Sequence, residues 1–173
     1  MKGIIPMCLS KMVVEKFGKG KWTESLQVAG LPNHTTFLAA QDIDDNTVMK
    51  VVDAVCKVLN ITILQAADAF GDYWVNDFAS NIYKAYFRKP KSAKEFLMSM
   101  NDVHRTTTAS MTNAKPPQFI FEDPAPNRLI ITYNSERGLV DFFIGITKGV
   151  GKFYNEKLHI RKLTNNKVDI TFT

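Results

Sequence analysis

Three hydrogen-bond donors alternate over a short stretch of the chain. Within the segment 131–139, Tyr133, Ser135 and Arg137 lie two residues apart. Because alternate residues of a strand point to the same side, this spacing predicts a phenol, a hydroxyl and a guanidinium on one strand face. Such a face suits a ligand that carries carboxylates, since a guanidinium can bind a carboxylate through two parallel hydrogen bonds. The alternative interpretation is an exposed hairpin strand that binds nothing.

His104 is a second candidate for chemistry. It follows Met100 by about one helical turn, on or beside the apolar stripe of a helix predicted for residues 92–111. A histidine in that setting is either a hydrogen-bonded core residue or, as a neutral imidazole on a rigid helix, an axial ligand of a metal or haem. The other histidines, His34 and His159, are predicted to lie in a polar loop and on an exposed strand face.

Composition indicates one globular domain. The chain has 173 residues, of which 45% are hydrophobic and 23% charged, values typical of a protein with a real core. No apolar stretch is long enough for a membrane span and the first residues do not resemble a signal peptide, so we expect a cytoplasmic protein without membrane contact. The net charge of +5 is mild. The basic run at 88–91 lacks interleaved aromatic residues, so no nucleic-acid partner is predicted.

The first part of the chain has the period of helices. Apolar spacing predicts a helix from near Gly3 to Gly18, a short helix capped by Thr23, and a third helix that begins after the acidic cluster at 42–46. A fourth helix is predicted over residues 63–69, with an interruption at Gly71, and it precedes the long helix of His104.

The sequence changes character after Lys115-Pro116-Pro117, which cannot occupy a helix interior. Strand-like runs follow, with one amphipathic helix between the second and the third; the predicted strands are 119–122, 129–135, 157–162 and 168–172, and the helix is 139–154. The predicted fold class is therefore α+β: a helical N-terminal subdomain, and a C-terminal antiparallel sheet with a packed helix. We expect a single domain over 1–173, divided into 1–60 and 61–173.

Constellations typical of enzymes are not found. The sequence contains no nucleophile-elbow serine, glycine-rich phosphate loop or HExxH motif. Carboxylates such as Asp102 and Asp141 stand singly among apolar neighbours, so no catalytic function is predicted. Haem would unite the remaining features: its propionates match the three donors, its flat apolar ring matches the methionines and phenylalanines, and its iron matches His104.

These motifs together resemble the H-NOX (haem nitric oxide/oxygen binding) family. The pattern Tyr133-x-Ser135-x-Arg137 is similar to the family's Y-x-S-x-R signature, and "MSMNDVHR" resembles the helix that carries its proximal histidine. The segments "MKGII", "MVVEKFG", "AFGDYW", "KPP" and "FFIGITKGVGKFY" fall in the family's order. The resemblance covers essentially the whole chain, and it implies haem b held between the two subdomains.

Several site residues are implied by this resemblance. His104 would be the iron ligand, Tyr133, Ser135 and Arg137 would hold the propionates, and Met100 would contact the haem. Pro117 would press on the ring and distort it from planarity. The distal pocket would be lined by apolar residues, for each of which ordinary core packing is the alternative: Ile5, Trp74, Phe78, Phe142 and Ile146.

Phe142 bears on the choice of gas. Family members that bind oxygen place a tyrosine at the matching position, where it donates a hydrogen bond to bound O2. A phenylalanine favours NO and CO instead. The resemblance then implies that NO weakens the bond from iron to His104 and lets the haem relax. The alternatives are an oxygen sensor in which Trp74 donates, a haem enzyme such as a peroxidase, and a haem-free interaction domain.

The signal would pass to a separate protein or to a part of the protein that this sequence does not include. Relatives suggest a histidine kinase, a cyclic-dinucleotide enzyme or a chemotaxis receptor, and the sequence does not choose among them.

Overall fold

The chain folds into helices and one four-stranded antiparallel sheet, the α+β architecture that the sequence predicts. The structure is a computed structural model that describes residues 1–173. The helices are α1 (Ile4–Phe17), α2 (Lys19–Val28), α3 (Asp45–Leu59), α4 (Ile63–Tyr73), a π-helix (Trp74–Ala79), α5 (Ser80–Ile82), α6 (Lys84–Arg88), α7 (Ala93–Met98), α8 (Met100–Thr108) and α9 (Val140–Phe153). The strands are β1 (Gln118–Ala125), β2 (Arg128–Asn134), β3 (Leu158–Lys162) and β4 (Lys167–Phe172). No helix is long and apolar enough to span a bilayer.

The chain divides into two compact units. The first contains Met1–Ala66 and the short segment Met111–Lys115, and the second contains Ala67–Ser110 and Pro116–Thr173. The division of roles that the sequence suggests, with residues 61–173 holding a haem, stays a prediction.

Local sequence explains the helices of the first unit. Helix α1 begins directly after Gly3 with a proline in its first turn, where a missing N–H costs nothing, and it ends at Gly18, whose φ is +89°. At the start of α3, Asp44 accepts a hydrogen bond of 2.9 Å from the Thr47 N–H, which satisfies one of the unpaired donors of the first turn. Thr23 is not a helix cap as predicted, because α2 already begins at Lys19.

The N-terminus is bound within the same unit. The Met1 ammonium group lies 2.6 Å from the Ile43 carbonyl oxygen and 2.6 Å from the Asp45 carboxylate. The Lys2 ammonium group lies 2.7 Å from Asp42 and donates to the Thr112 carbonyl at 2.6 Å. These contacts attach the segment Met111–Lys115 to the beginning of the chain.

Two helix predictions are corrected by the structure. The predicted break at Gly71 does not occur, since α4 continues to Tyr73 and then widens into the π-helix. The long helix predicted over 92–111 is instead two helices, α7 and α8, which meet at Ser99. The Ser99 hydroxyl donates to the Phe96 carbonyl at 2.7 Å, and such local side-chain bonds compete with continued helix.

The sheet has the strand order β1-β2-β4-β3, with every pair antiparallel. One of its faces forms the core of the second unit, where Leu129, Ile131, Val168 and Ile170 are at most 1% exposed. The predicted strands are confirmed to within a few residues at each end, except that β2 ends at Asn134 and leaves Ser135 outside the sheet.

Helices α4 and α9 cross at very close range in the second unit. A Cβ atom built on Gly145 would lie 2.1 Å from the Ala67 carbonyl oxygen, and one built on Gly71 would lie 2.0 Å from the Gly145 carbonyl carbon. Only glycine fits at such a crossing, since real Cβ atoms are never that close to backbone. The crossing brings the π-helix and α9 beside each other.

Candidate functional site

The three alternating donors do come together, but not on a strand face. Tyr133 is the last inward-facing residue of β2, whereas Ser135 and Arg137 lie in the following turn, which ends at Gly138 with φ +62°. A hydrogen bond joins the Tyr133 and Ser135 side chains, and the Arg137 guanidinium is close enough to act on the phenol through its charge. The turn, rather than strand alternation, therefore brings the donors together.

Tyr133 is fixed by the aromatic core of the second unit. Its ring stacks on Phe143 of α9, with centroids 5.5 Å apart and planes inclined by 18°. Phe119, its partner across β1 and β2, lies 5.9 Å away. Burial raises the pKa of the Tyr133 phenol, while the Ser135 hydrogen bond and the Arg137 charge oppose that change. The phenol is therefore a neutral donor at physiological pH.

His104 is half-buried on α8, and one of its ring nitrogens faces a backbone carbonyl. Its Nδ1 lies 3.4 Å from the Pro117 carbonyl oxygen, and its ring lies 5.7 Å from Phe119. Burial lowers the pKa of His104 below its ordinary value, and the Pro117 carbonyl partly opposes this effect. A neutral imidazole whose Nδ1–H faces a carbonyl leaves Nε2 as a metal ligand, the usual arrangement in metal sites.

Asn101 links two elements beside His104, and sequence reasoning missed it. Its side-chain amide donates to the Phe119 carbonyl at 2.8 Å and accepts from the Phe119 N–H at 2.9 Å. This pair of hydrogen bonds joins α8 to β1 one helical turn before His104. The spacing Asn101-x-x-His104 is the signal that could have indicated it, because residues three apart share a helix face.

The predicted distal residues of the second unit form one aromatic group. Trp74 and Phe78 lie on the π-helix with ring centroids 5.5 Å apart. Phe70 connects them to Phe142 of α9: it stacks on Trp74 at 5.9 Å and meets Phe142 edge-on at 5.8 Å. Phe70 was not among the predicted site residues, although its position four residues before Trp74 places it on the same helical face. Single-turn π-helices are frequent at functional sites.

The remaining predicted residues are spread more widely. Ile146 lies on α9 one turn after Phe142, and Met100 opens α8 one turn before His104; both are half-buried and pack against the core of the second unit. Ile5 lies on α1 of the first unit and is half-buried. Its predicted contact with a haem stays a prediction.

The residues of the second unit fit the chemistry of a haem. A phenol, a hydroxyl and a guanidinium supply donors for two carboxylates. His104 supplies a neutral imidazole nitrogen, and the aromatic group of α4, the π-helix and α9 supplies apolar surface for the ring. The second unit thus contains hydrogen-bond donors, an imidazole and an aromatic surface, which are the kinds of group that a haem requires.

Comparison with solved structures identifies the fold. The chain superimposes on a Cs H-NOX mutant carrying 4-cyano-L-phenylalanine at site 5 with a TM-score of 0.90 and 25% identity, covering 100% of this chain and 97% of that one. It also matches an oxygen-binding H-NOX domain related to soluble guanylate cyclases, solved as its oxygen complex, with a TM-score of 0.85 and 25% identity over 100% and 95% of the two chains. The fold is that of an H-NOX domain.

Sequence comparison gives the family. A profile of the haem-NO-binding family matches residues 2–162, and this chain belongs to that family. It is 23% identical over 156 residues to soluble guanylate cyclase gcy-32 of Caenorhabditis elegans, covering 88% of this chain and 23% of that protein. The chain thus spans 23% of the length of that curated relative. As a member of the family it is a haem-binding, gas-sensing domain.

Proposed function

We propose that this domain binds haem b and senses nitric oxide at a ferrous iron, excluding dioxygen. Bound haem would supply an iron to which a diatomic gas can bind. In this proposal His104 holds the iron, and Tyr133, Ser135 and Arg137 hold the propionates. The geometry around His104 supports the assignment, because its Nδ1 faces the Pro117 carbonyl at 3.4 Å and its pKa is lowered by burial.

The choice of gas rests on Phe142. Its ring is half-buried on α9 and lies against Phe70 at 5.8 Å, and a phenyl ring has no hydrogen-bond donor. Bound O2 takes on negative charge, so a charge-assisted hydrogen bond would stabilise it by about 1.5–3 kcal/mol, or roughly one to two decades of affinity. Nitric oxide binds ferrous iron strongly without that bond. The absence of a hydroxyl at Phe142 therefore favours NO.

Trp74 is the alternative donor for an oxygen sensor. Its ring packs against Phe70, which stacks on it at 5.9 Å, and against Phe78, which is tilted by 31° at 5.5 Å. A ring packed against two aromatic neighbours is typical of a packing residue, which supports the NO proposal over the oxygen proposal.

An absorption spectrum of the ferrous protein tests the proposal. It should be recorded without oxygen, then after NO, and on a separate sample after exposure to air. We expect a five-coordinate histidine-ligated spectrum that changes on addition of NO and forms no stable oxygen complex in air. A stable oxygen complex would support the Trp74 alternative. A missing Soret band after expression with sufficient haem would indicate an interaction domain without haem, and turnover with peroxide would indicate an enzyme.

Replacing the proposed iron ligand provides a second test. The His104→Gly variant should lose most of its haem unless imidazole is supplied, because the iron would then lack its protein ligand. His159→Ala is the matched control, since His159 is exposed on β3 and should keep a normal spectrum. A normal histidine-ligated spectrum in His104→Gly would disprove the assignment.

The proposed signal passes from His104 to an effector. A change in the bond to His104 would act on α8. This helix is followed by residues 109–110 and then by the segment Met111–Lys115 of the first unit. Such a ligand-driven change needs a contact that differs between two states, and the histidine bond would supply it. A histidine kinase, a cyclic-dinucleotide enzyme, a chemotaxis receptor or a cyclase would receive the signal.

A further inference from the structure

The face of the sheet that points away from the core carries an ordered set of polar side chains. Strand register places Arg128, Thr171 and His159 side by side across β2, β4 and β3. In the next outward-facing row, Asp169 of β4 is paired with Arg161 of β3. These neighbours are separated only by the spacing between strands, about 5 Å, so they form one continuous surface.

A groove of about 730 Å³ lies along this part of the sheet. Four consecutive residues of β3 line it together with residues of α9, β2 and β4; the full lining is Arg128, Lys148, Leu158, His159, Ile160, Arg161, Asp169 and Thr171. None of these belongs to the candidate haem site. Because β3 is an edge strand, the groove also borders backbone N–H and C=O groups that pair with no other strand.

Asp169 is buried and holds both arginines by hydrogen bonds. It accepts hydrogen bonds from Arg128 Nε at 2.8 Å, Arg128 Nη2 at 2.9 Å and Arg161 Nη2 at 2.9 Å. The Asp169 side chain is 8% exposed, whereas those of Arg128 and Arg161 are 41% and 70% exposed. Each guanidinium keeps further N–H donors that Asp169 does not use. The surface therefore presents positive charge on side chains already held in place.

The balance of charge in the groove is positive. Its lining contains the cations Arg128, Lys148 and Arg161 but only one carboxylate, Asp169. Lys148 is paired with Asp68 at 2.7 Å, so the two arginines are the groups available to an incoming anion. Because Asp169 already orders their side chains, an anion that binds them loses less conformational entropy than it would with free arginines.

We propose that this groove, which we call the β3 groove, binds an extended acidic segment of a partner protein. The segment's backbone adds to the free edge of β3, a known mode of peptide recognition, and its carboxylates pair with Arg161, the arginine on that strand. A protein segment fits better than a single-stranded nucleic acid, because no Phe, Tyr or Trp lines the groove for base stacking. The proposal concerns a surface outside the haem site and does not depend on which gas the haem binds.

Peptide binding to the haem-loaded protein tests this proposal. The probe is a synthetic peptide of about ten residues with alternating Glu and Thr, labelled with a far-red dye and followed by fluorescence anisotropy at low salt. The Arg161→Gln variant should weaken binding by about tenfold, because a charge-assisted pair is lost, and Arg161→Glu should weaken it further. Arg161 is exposed and Arg128 still holds Asp169, so both variants should fold.

Arg88→Gln is the matched control, since Arg88 is an exposed arginine on α6 of the same unit and the substitution removes the same charge. It should bind the peptide like the wild type. Equal losses in Arg88→Gln and Arg161→Gln would overturn the proposal, as would the absence of peptide binding to the wild type. Tighter, Arg161-dependent binding of an oligothymidylate of equal length would replace it with a nucleic-acid site. The ferrous spectrum should be unchanged in Arg161→Gln, so failure here is distinguishable from failure of the sensor proposal.

Discussion

At the scale of single residues, the identity of one ring on α9 is expected to set gas selectivity. Phe142→Tyr adds a phenol to the aromatic group formed with Phe70 and Trp74, and oxygen affinity should rise by about one to two decades. An oxygen titration of the ferrous protein measures the change. Phe153→Tyr is the control, because Phe153 lies on the same helix but packs against Phe87 at 5.1 Å. Equal oxygen affinity in Phe142→Tyr and wild type would exclude a role for Phe142.

Asn101 is expected to stabilise the protein through its two hydrogen bonds to Phe119. Asn101→Ala removes both hydrogen bonds to the Phe119 backbone and should lower the free energy of unfolding by about 1–3 kcal/mol, since a partly buried donor and acceptor lose their partners. Urea denaturation measures the loss. The control Asn81→Ala removes only an exposed hydrogen bond to the Asp77 carbonyl and should change stability by less than about 0.5 kcal/mol.

Spectroscopy separates a positioning role of Asn101 from a purely structural one. If Asn101 positions His104, the iron–histidine stretching frequency of the ferrous haem protein should shift in Asn101→Ala and return toward the wild-type value in Asn101→Gln. An unchanged frequency with reduced stability would show that Asn101 stabilises the fold without positioning the histidine.

At the scale of elements, the crossing of α4 and α9 depends on two glycines. Gly145→Ala would place a methyl group 2.1 Å from the Ala67 carbonyl oxygen, so the helices must separate. We expect a loss of at least about 2 kcal/mol in unfolding free energy, near the upper range for overpacked cores. Urea denaturation again provides the measurement. Gly20→Ala is the control: Gly20 lies in α2 with open space around it, and alanine should stabilise that helix by about 0.5–1 kcal/mol.

The sequence predicted the positions of most helices and strands well, but it did not predict the contact between α4 and α9. Hydrophobic period and turn residues located α9 and the strands well, because each of these elements has one buried face. The glycine rule failed at Gly71, since it assumes that glycine ends a helix. Here glycine serves the contact with Gly145, a partner about seventy residues away that no local pattern reveals.

For the candidate site too, the sequence indicated the residue types but not their contacts across the fold. The types of Tyr133, Ser135 and Arg137 indicated their chemistry, but strand alternation gave the wrong geometry, because the strand ends at Asn134 and a turn brings the donors together. Phe70 was missed because it joins the aromatic group through Phe142, which belongs to a different helix. Residue types can therefore be read from the sequence, whereas partners across the fold cannot.

At the scale of the whole molecule, the chain passes from one compact unit to the other on each side of Met111–Lys115. This segment follows the helix of His104 and directly precedes Pro116 and Pro117, yet it is part of the first unit. The proposed signal from His104 therefore has a short covalent route into the first unit. Lys2 is the side chain that anchors the segment there.

Removing that anchor tests the route. Lys2 donates to the Thr112 carbonyl at 2.6 Å and pairs with Asp42 at 2.7 Å, and Asp42 also accepts a hydrogen bond from Asn113. In Lys2→Ala, amide hydrogen exchange of residues 111–115 should quicken by roughly five- to tenfold, because local opening loses these bonds. Hydrogen exchange with mass spectrometry measures it, with the exposed Lys57→Ala of α3 as control.

The proposed route also predicts how NO changes hydrogen exchange in Lys2→Ala. NO should quicken exchange of residues 111–115 in the wild type, where an ordered segment can respond, and should change it much less in Lys2→Ala, where the segment is already released. The NO absorption spectrum should be the same in both proteins, since Lys2 lies outside the residues proposed to hold the haem. If NO alters exchange elsewhere in the first unit but leaves residues 111–115 unchanged in the wild type, the signal takes another path.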